Sequence, residues 1–136
     1  MSAEITYKTP ATDWQTLAYW EGAGRGELVL QRCVSCGLVQ HRPRGVCASC
    51  LSSDLEHFVA SGRGVVYSCT VIHQNGIPPF RDACPYVLAY VDLEEGPRLM
   101  TNIVGCDPES VAIGMDVVVE FVPTGEGLGV PRFIPA

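Results

Sequence analysis

The segment Arg32-Cys33-Val34-Ser35-Cys36-Gly37, followed by Val46-Cys47-Ala48-Ser49-Cys50, has the pattern C-x2-C-x10-C-x2-C. Each C-x2-C pair places two thiolates on one side of a tight knuckle. Two knuckles ending short hairpins bring four sulfurs into a tetrahedron. Gly37, directly after Cys36, supplies the permissive backbone that the first knuckle needs. The second knuckle is followed by Leu51, a departure from the commonest pattern. Pro43 and Gly45 between the pairs are turn residues that suit a ribbon. Cys33, Cys36, Cys47 and Cys50 are therefore the expected metal ligands. With no open coordination position, the metal is structural. An iron centre of rubredoxin type and a ribbon that has lost its metal compete with this reading. Zinc is the expectation, since tetrahedral thiolate sites hold chiefly zinc or iron.

Three further cysteines, Cys69, Cys84 and Cys106, share no spacing pattern, so the total of seven is odd. An odd count with two tight pairs suits metal binding in a reducing compartment better than a disulfide framework. No apolar run reaches membrane-spanning length, and Met1-Ser2-Ala3-Glu4 lacks the basic start of a signal peptide. The expectation is a soluble, cytoplasmic protein.

Around the ribbon, the rest of the 136-residue chain reads as mostly β. Residues 1–11 read as an extended arm. Thr12-Asp13-Trp14-Gln15 carries a capping-box start with Thr12 as N-cap, and the helix that follows is stopped by Gly22, Gly24 and Gly26. Trp14, Leu17, Ala18 and Glu21 fall on one face of it. A helix this short must dock, either on its own body (the preferred reading) or on a partner, with Trp14 and Trp20 as anchors. Strands are expected at 27–31, 55–61, 65–73, 86–93, 98–104, 117–122 and 130–134, with one capped helical turn at Asp107-Pro108-Glu109. Five or so short strands closed by turns, with that helical turn before the fourth counted from 65–73, point to a small barrel of OB type; a β-sandwich has similar spacing. The expected organisation is an arm and helix (1–26), a rubredoxin-like zinc ribbon (27–54) and a five-stranded OB-fold barrel (55–136).

Charge is polarised. The chain carries −6 overall, with +3 from Ala23 to Cys50 and −7 from Asp82 onward. A nucleic-acid binder would carry the opposite balance. Catalytic machinery is not recognisable: no G-x-S-x-G, H-E-x-x-H, Walker or dinucleotide motif occurs. Cys69 and His73 share a strand face but lie about 13 Å apart along it, too far for a nucleophile–base pair. His41 and His57 read as structural or solvated. The Pro/Gly-rich loop offers a contact surface of His73, Asn75, Phe80, Arg81 and Tyr86.

The order of parts resembles a zinc-ribbon/OB-fold family once called domain of unknown function 35, linked to acyl-CoA metabolism. The residues that carry the resemblance are Ala18-Tyr19-Trp20-Glu21, Leu28 through Gly37, Pro43-Arg44 through Cys50, Gly62 through Ser68, Pro85 through Ala89, and Gly105 through Gly114. The resemblance implies a non-catalytic accessory subunit of a thiolase-type enzyme: a thiolase, an acyltransferase, or a retro-aldolase acting on steroid side-chain CoA esters in lipid or aromatic degradation. It implies a larger catalytic partner, a heteromer with two copies of each chain, and a small subunit that docks through its β body and ribbon. Some relatives are fused to hot-dog-fold hydratases. CoA phosphates would need cations, and Arg32, Arg42, Arg44 and Arg81 are candidates, with the loop around Phe80 as a wall of the acyl-CoA tunnel. The alternative is a stand-alone OB-fold nucleic-acid-binding module.

Overall fold

The computed structural model describes residues 4–136, so the first three residues of the expected arm, Met1 to Ala3, lie outside the described residues. The elements are α1 (Leu17–Gly24), β1 (Val29–Cys33), β2 (Val39–Gln40), β3 (Leu55–Val59), β4 (Arg63–Ile72), β5 (Tyr86–Leu93), β6 (Arg98–Ile103), β7 (Asp116–Gly125) and β8 (Leu128–Pro135), with 3₁₀ turns at Arg81–Ala83 and Pro108–Ser110. β2, β1 and β3 form a three-stranded antiparallel ribbon sheet, and β4-β5-β6-β8-β7 close into a barrel. Closure uses one parallel contact, Ile103 opposite Phe133; the other pairings are antiparallel. The architecture is the expected OB barrel behind a ribbon, and a closed sheet leaves the barrel no edge to protect. Among the described residues, no helix is long and apolar enough to cross a membrane.

Two local expectations change. The helix starts later than a Thr12 cap would set it. The Asp13 carboxylate accepts from the amides of Gln15 and Thr16 at 2.9 Å each, and the first helical residue is Leu17. The Thr16 amide, before any other contact, holds the Asp13 carboxyl below the usual carboxylate range. The glycines Gly22 and Gly24 do not stop the helix but lie inside it. A Cβ on Gly22 would sit 2.4 Å from Val29 Cγ2, and one on Gly24 would sit 2.1 Å from the Gly127 carbonyl oxygen. The helix thus packs backbone-to-backbone against the β7–β8 turn, and only glycine permits that distance. Gly26, at φ +80°, is the residue that ends it.

The docked face is Tyr19, Gly22 and Ala23. Trp20 is half-buried against the core, whereas Trp14 is 77% exposed. The helix therefore docks on its own body, while Trp14, ahead of its first turn, only rests against Gly45 and stays largely exposed.

In β4 a bulge between Val66 and Ser68 breaks the alternation of a regular strand. Val65 and Tyr67 face outward, Val66 is buried, and beyond the bulge Cys69 and Val71 turn inward against the core. Val65 and Tyr67 therefore do not share a face with Cys69 and Val71. The core is one cluster: Val66, Val87, Val91, Leu99, Ile103, Val117 and Phe133 from the barrel join Leu28, Leu30 and Tyr19 from the ribbon side. Each such side chain contributes about 1.5–3 kcal/mol on burial.

The arm is pinned along the barrel. Ile5 is buried, the Tyr7 hydroxyl donates to Asn102 Oδ1 at 2.8 Å, and the Thr9 hydroxyl donates to the Thr124 carbonyl at 2.6 Å.

Candidate metal centre and contact loop

The two knuckles share one backbone plan. The Cys33 amide donates to the Leu38 carbonyl and the Gly37 amide to the Cys33 carbonyl; in the second knuckle the Cys47 amide donates to Ser52 and the Leu51 amide to Cys47. Gly37 and Leu51 hold equivalent positions, with φ of 81° and 64°. The plan brings all four sulfurs within 4.8 Å of one another. Cys33 to Cys50 and Cys36 to Cys47 are each 3.6 Å. These are not disulfide lengths, since a bonded pair lies near about 2.05 Å. They fit a tetrahedral ion: metal–sulfur bonds of about 2.3 Å give edges of about 3.8 Å.

The cluster's electrostatics agree. The Cys50 amide first, then the Ser49 amide and the Cys36 and Cys50 sulfurs, lower the Cys47 thiol to about 6 against its burial. At Cys36 the pull of the Leu38 amide is outweighed by the neighbouring Cys47 and Cys33 sulfurs and by burial, and its thiol stands at about 12. Ionising four crowded sulfurs together is costly, and a dication removes that cost.

Behind the cluster lies a buried amide pair that sequence reasoning missed. Gln40 Nε2 donates to Gln31 Oε1 and to the Val46 carbonyl, and Gln31 Nε2 donates to the Arg44 carbonyl at 2.8 Å. The amides of Arg44 and Ala48 donate back to the two side-chain oxygens. Together these bonds tie the 41–48 loop to the ribbon sheet. A signal existed: Gln31 is two residues before Cys33, so the alternation that buries the cysteine also buries the glutamine. His41 packs on the Tyr19 ring at 5.0 Å between centroids, and its Nδ1 is buried without a hydrogen-bond partner among the described residues. Burial first, then the Arg42 charge, lowers its pKa to about 4.

Of the expected contact loop, three members come together. Asn75 Nδ2 donates to the Tyr86 hydroxyl at 3.0 Å, and Phe80 lies 5.4 Å from the Tyr86 ring. Tyr7 from the arm adds an edge-on contact to Phe80 at 6.4 Å, which sequence reasoning did not foresee. Arg81 is exposed and lies 3.5 Å from Asp82. His73 is exposed, 4.0 Å from Glu109, while the Cys69 thiol donates to the Val111 carbonyl. These two residues do not form a pair. Cys84 donates to the Phe80 carbonyl.

Beside this loop a cavity of about 520 Å³ is lined by Ile5, Tyr86, Val87, Ile103, Cys106 and Arg132, among others. Arg132 is held there by Glu120 at 2.7 Å and Glu4 at 2.9 Å. On the ribbon, Arg32 pairs with Glu56 at 3.4 Å and covers the Phe58 ring at 4.1 Å. Among the described residues, no hydrogen bond or ion pair joins Arg32, Arg42 or Arg44 to the 73–86 loop.

Comparison with known proteins follows the same two-part division. The ChsH2 rubredoxin-like zinc ribbon domain matches residues 20–56, and the ChsH2 C-terminal OB-fold domain matches residues 59–122. A chain of the solved Ltp2-ChsH2(DUF35) aldolase superposes with a TM-score of 0.83 and 40% identity, covering 93% of this chain and 98% of that one. A DUF35 domain-containing scaffold protein of Methanothermobacter thermautotrophicus is 40% identical over 98 residues, 71% of this chain and 73% of that protein. A probable enoyl-CoA hydratase alpha subunit of Thermomonospora curvata is 40% identical over 127 residues, 93% of this chain; this chain spans only 39% of that relative's length. A ribbon and a barrel matched in this order, with a near-complete match to a solved chain of the same build, show that the protein belongs to the DUF35 family of ChsH2-type zinc-ribbon/OB-fold proteins, which its sequence resembles.

Proposed function

We propose that this chain is a non-catalytic, zinc-binding accessory subunit of a thiolase-type complex acting on acyl-CoA thioesters, as a retro-aldolase or a thiolase. The observation that carries the reading is the whole-length likeness to a chain of the Ltp2-ChsH2(DUF35) aldolase. The hydratase name of the Thermomonospora relative again lies in CoA-ester chemistry. In this reading Cys33, Cys36, Cys47 and Cys50 hold one Zn²⁺, which supplies a structural cross-link coupled to folding. The reacting groups belong to the larger subunit.

What this chain contributes is shape and charge. The Asn75–Tyr86 hydrogen bond and the Phe80–Tyr86 contact stiffen the 73–86 loop, and a stiff aromatic wall suits a narrow pantetheine channel. Arg32, Arg42, Arg44, Arg81 and His73 supply cationic or polar contacts to CoA or to the partner. A 2+2 heteromer in the cytoplasm completes the reading.

The test is affinity capture of the chain at native expression, with mass spectrometry of what co-purifies, followed by acyl-CoA cleavage assays with and without it. The expected result is a stoichiometric thiolase-like protein whose activity depends on this chain. A clean monomer, or one that carries only RNA, overturns the reading.

A further inference from the structure

Gln31 and Gln40 are both buried, and each makes three hydrogen bonds through its side-chain amide. One bond is shared, from Gln40 Nε2 to Gln31 Oε1. The other targets differ. Gln31 accepts from the Arg44 amide at 3.0 Å and donates to the Arg44 carbonyl at 2.8 Å, so it holds a residue three positions before Cys47. Gln40 donates to the Val46 carbonyl at 3.3 Å and accepts from the Ala48 amide at 3.0 Å. Those two groups belong to the peptide planes on either side of the Cys47 Cα.

A residue has only two soft backbone dihedrals, and fixing both flanking peptide planes fixes them. The Cα–Cβ bond of Cys47 then has one direction, and its Sγ is left a choice of χ1 rotamer alone. Cys47 is fully buried, and its sulfur accepts from the Ser49 amide at 3.3 Å, so that choice is also made. The residue that does the aiming comes from the other knuckle's hairpin. Gln40 lies in β2, directly opposite Gln31 of β1, the strand that ends at Cys33. The further hydrogen bonds between the two halves of the site, Ser35 to Ser52 between hydroxyls at 3.0 Å and the Val34 amide to the Asp54 carbonyl at 2.9 Å, lie past Cys50. On the Cys47 side, Gln40 carries the link.

We infer that Gln40 is the positioning residue of the metal centre. By pinning both peptide planes around Cys47 it aims that thiolate, and it thereby sets the geometry and the affinity with which the ribbon holds its metal. Gln31 braces Gln40 and the 41–48 loop without aiming a ligand. The inference rests on the proposed zinc site of Cys33, Cys36, Cys47 and Cys50. Outer supports that orient metal ligands are worth about 10–100-fold in affinity.

The test uses the full chain with two metals: Zn²⁺ against a competing chelator for affinity, and Co²⁺ as a probe whose visible bands report ligand geometry. The variants are Gln40→Met and Gln31→Met. Each removes three hydrogen bonds at nearly unchanged side-chain volume, so a merely structural role affects both alike. The expected result is a zinc affinity lower by about 100-fold for Gln40→Met and by no more than about tenfold for Gln31→Met. The cobalt bands should shift in Gln40→Met and keep the parent's positions in Gln31→Met. Affinities of the two variants within threefold of each other, with the parent's bands in both, overturn the inference and leave the zinc site standing. Bands displaced equally in both variants overturn it in favour of general support by the loop. A parent chain that takes up neither metal defeats the zinc site, and this inference with it. If Gln40→Met takes up no metal, Gln40→Asn decides, because its amide stays in the buried site one methylene short of both peptides. Shifted bands in Gln40→Asn support the inference, and the parent's bands overturn it.

Discussion

Leu51 holds the position in the second knuckle that Gly37 holds in the first, and both adopt left-handed backbone, with φ of 64° and 81°. For a side chain with a Cβ that conformation costs about 1–2 kcal/mol. Leu51→Gly should therefore stabilise the folded ribbon by about 1 kcal/mol, after the extra freedom of glycine in the unfolded chain is subtracted. Chemical denaturation of the zinc-loaded protein reads this directly. A destabilised Leu51→Gly would show that the leucine earns its place through intramolecular packing.

Gly24→Ala should act against the usual helix rule. In an exposed helix interior, alanine gains about 1 kcal/mol over glycine. Here a Cβ meets the Gly127 carbonyl at 2.1 Å, a clash with backbone on the β7–β8 turn. The expected outcome is a loss of about 2–3 kcal/mol and a loosened helix. Hydrogen exchange should show it as lost protection in α1 and around residue 127. A neutral or stabilising result would mean that the turn moves aside.

Removal of the metal should unfold the ribbon and spare the barrel's own ladder. Structural zinc of this type binds with about 10–16 kcal/mol of apparent free energy coupled to folding. Chelation, or Cys47→Ser at the fully buried ligand, should release one equivalent of zinc and broaden the NMR resonances of residues in β1, β2 and β3. Sharp ribbon resonances in a metal-free sample would contradict a structural role.

His41 makes stability fall with acid. Its pKa in the fold is about 4, below the ordinary 6.5, because it is buried against Tyr19. Between those values the unfolded chain binds a proton that the folded one refuses, so stability present above about pH 6.5 is lost as the pH falls toward 4. The loss amounts to at most about 3 kcal/mol. His41→Phe should flatten this part of the profile. Thiolate protonation acts in the same range, so the measured quantity is the difference between the two proteins' stability curves. Parallel curves from pH 7 to 4 would show that His41 takes up its proton in the folded state.

The parts legible in the sequence were those set by local pattern. The cysteine spacing is a short-range geometric statement, and the strands of the barrel alternate visibly. Contacts between distant segments were not legible. Gly22 and Gly24 read as helix breakers because their role is set by Val29 and by Gly127, about a hundred residues downstream from Gly24. Trp14 read as a docked residue because its helical face can be counted, but which face is buried depends on what approaches it. The bulge at Tyr67 reverses the facing of half a strand without any sequence mark. Gln31 and Gln40 look like surface residues until the loop that they bind is in place. The internal packing of the 73–86 loop was legible in part: composition marked Asn75, Phe80 and Tyr86, but not Tyr7, which reaches Phe80 from the arm.

Helix α1 touches β1 through Gly22 and the β7–β8 turn through Gly24, at distances that leave no room for a methyl group on either side. It therefore works as a fixed spacer between the ribbon and the barrel. A partner that grips one end of such a spacer also determines where the other end lies. The placement of the β7–β8 turn can thus be set from the ribbon, by two residues whose side chains are single hydrogen atoms.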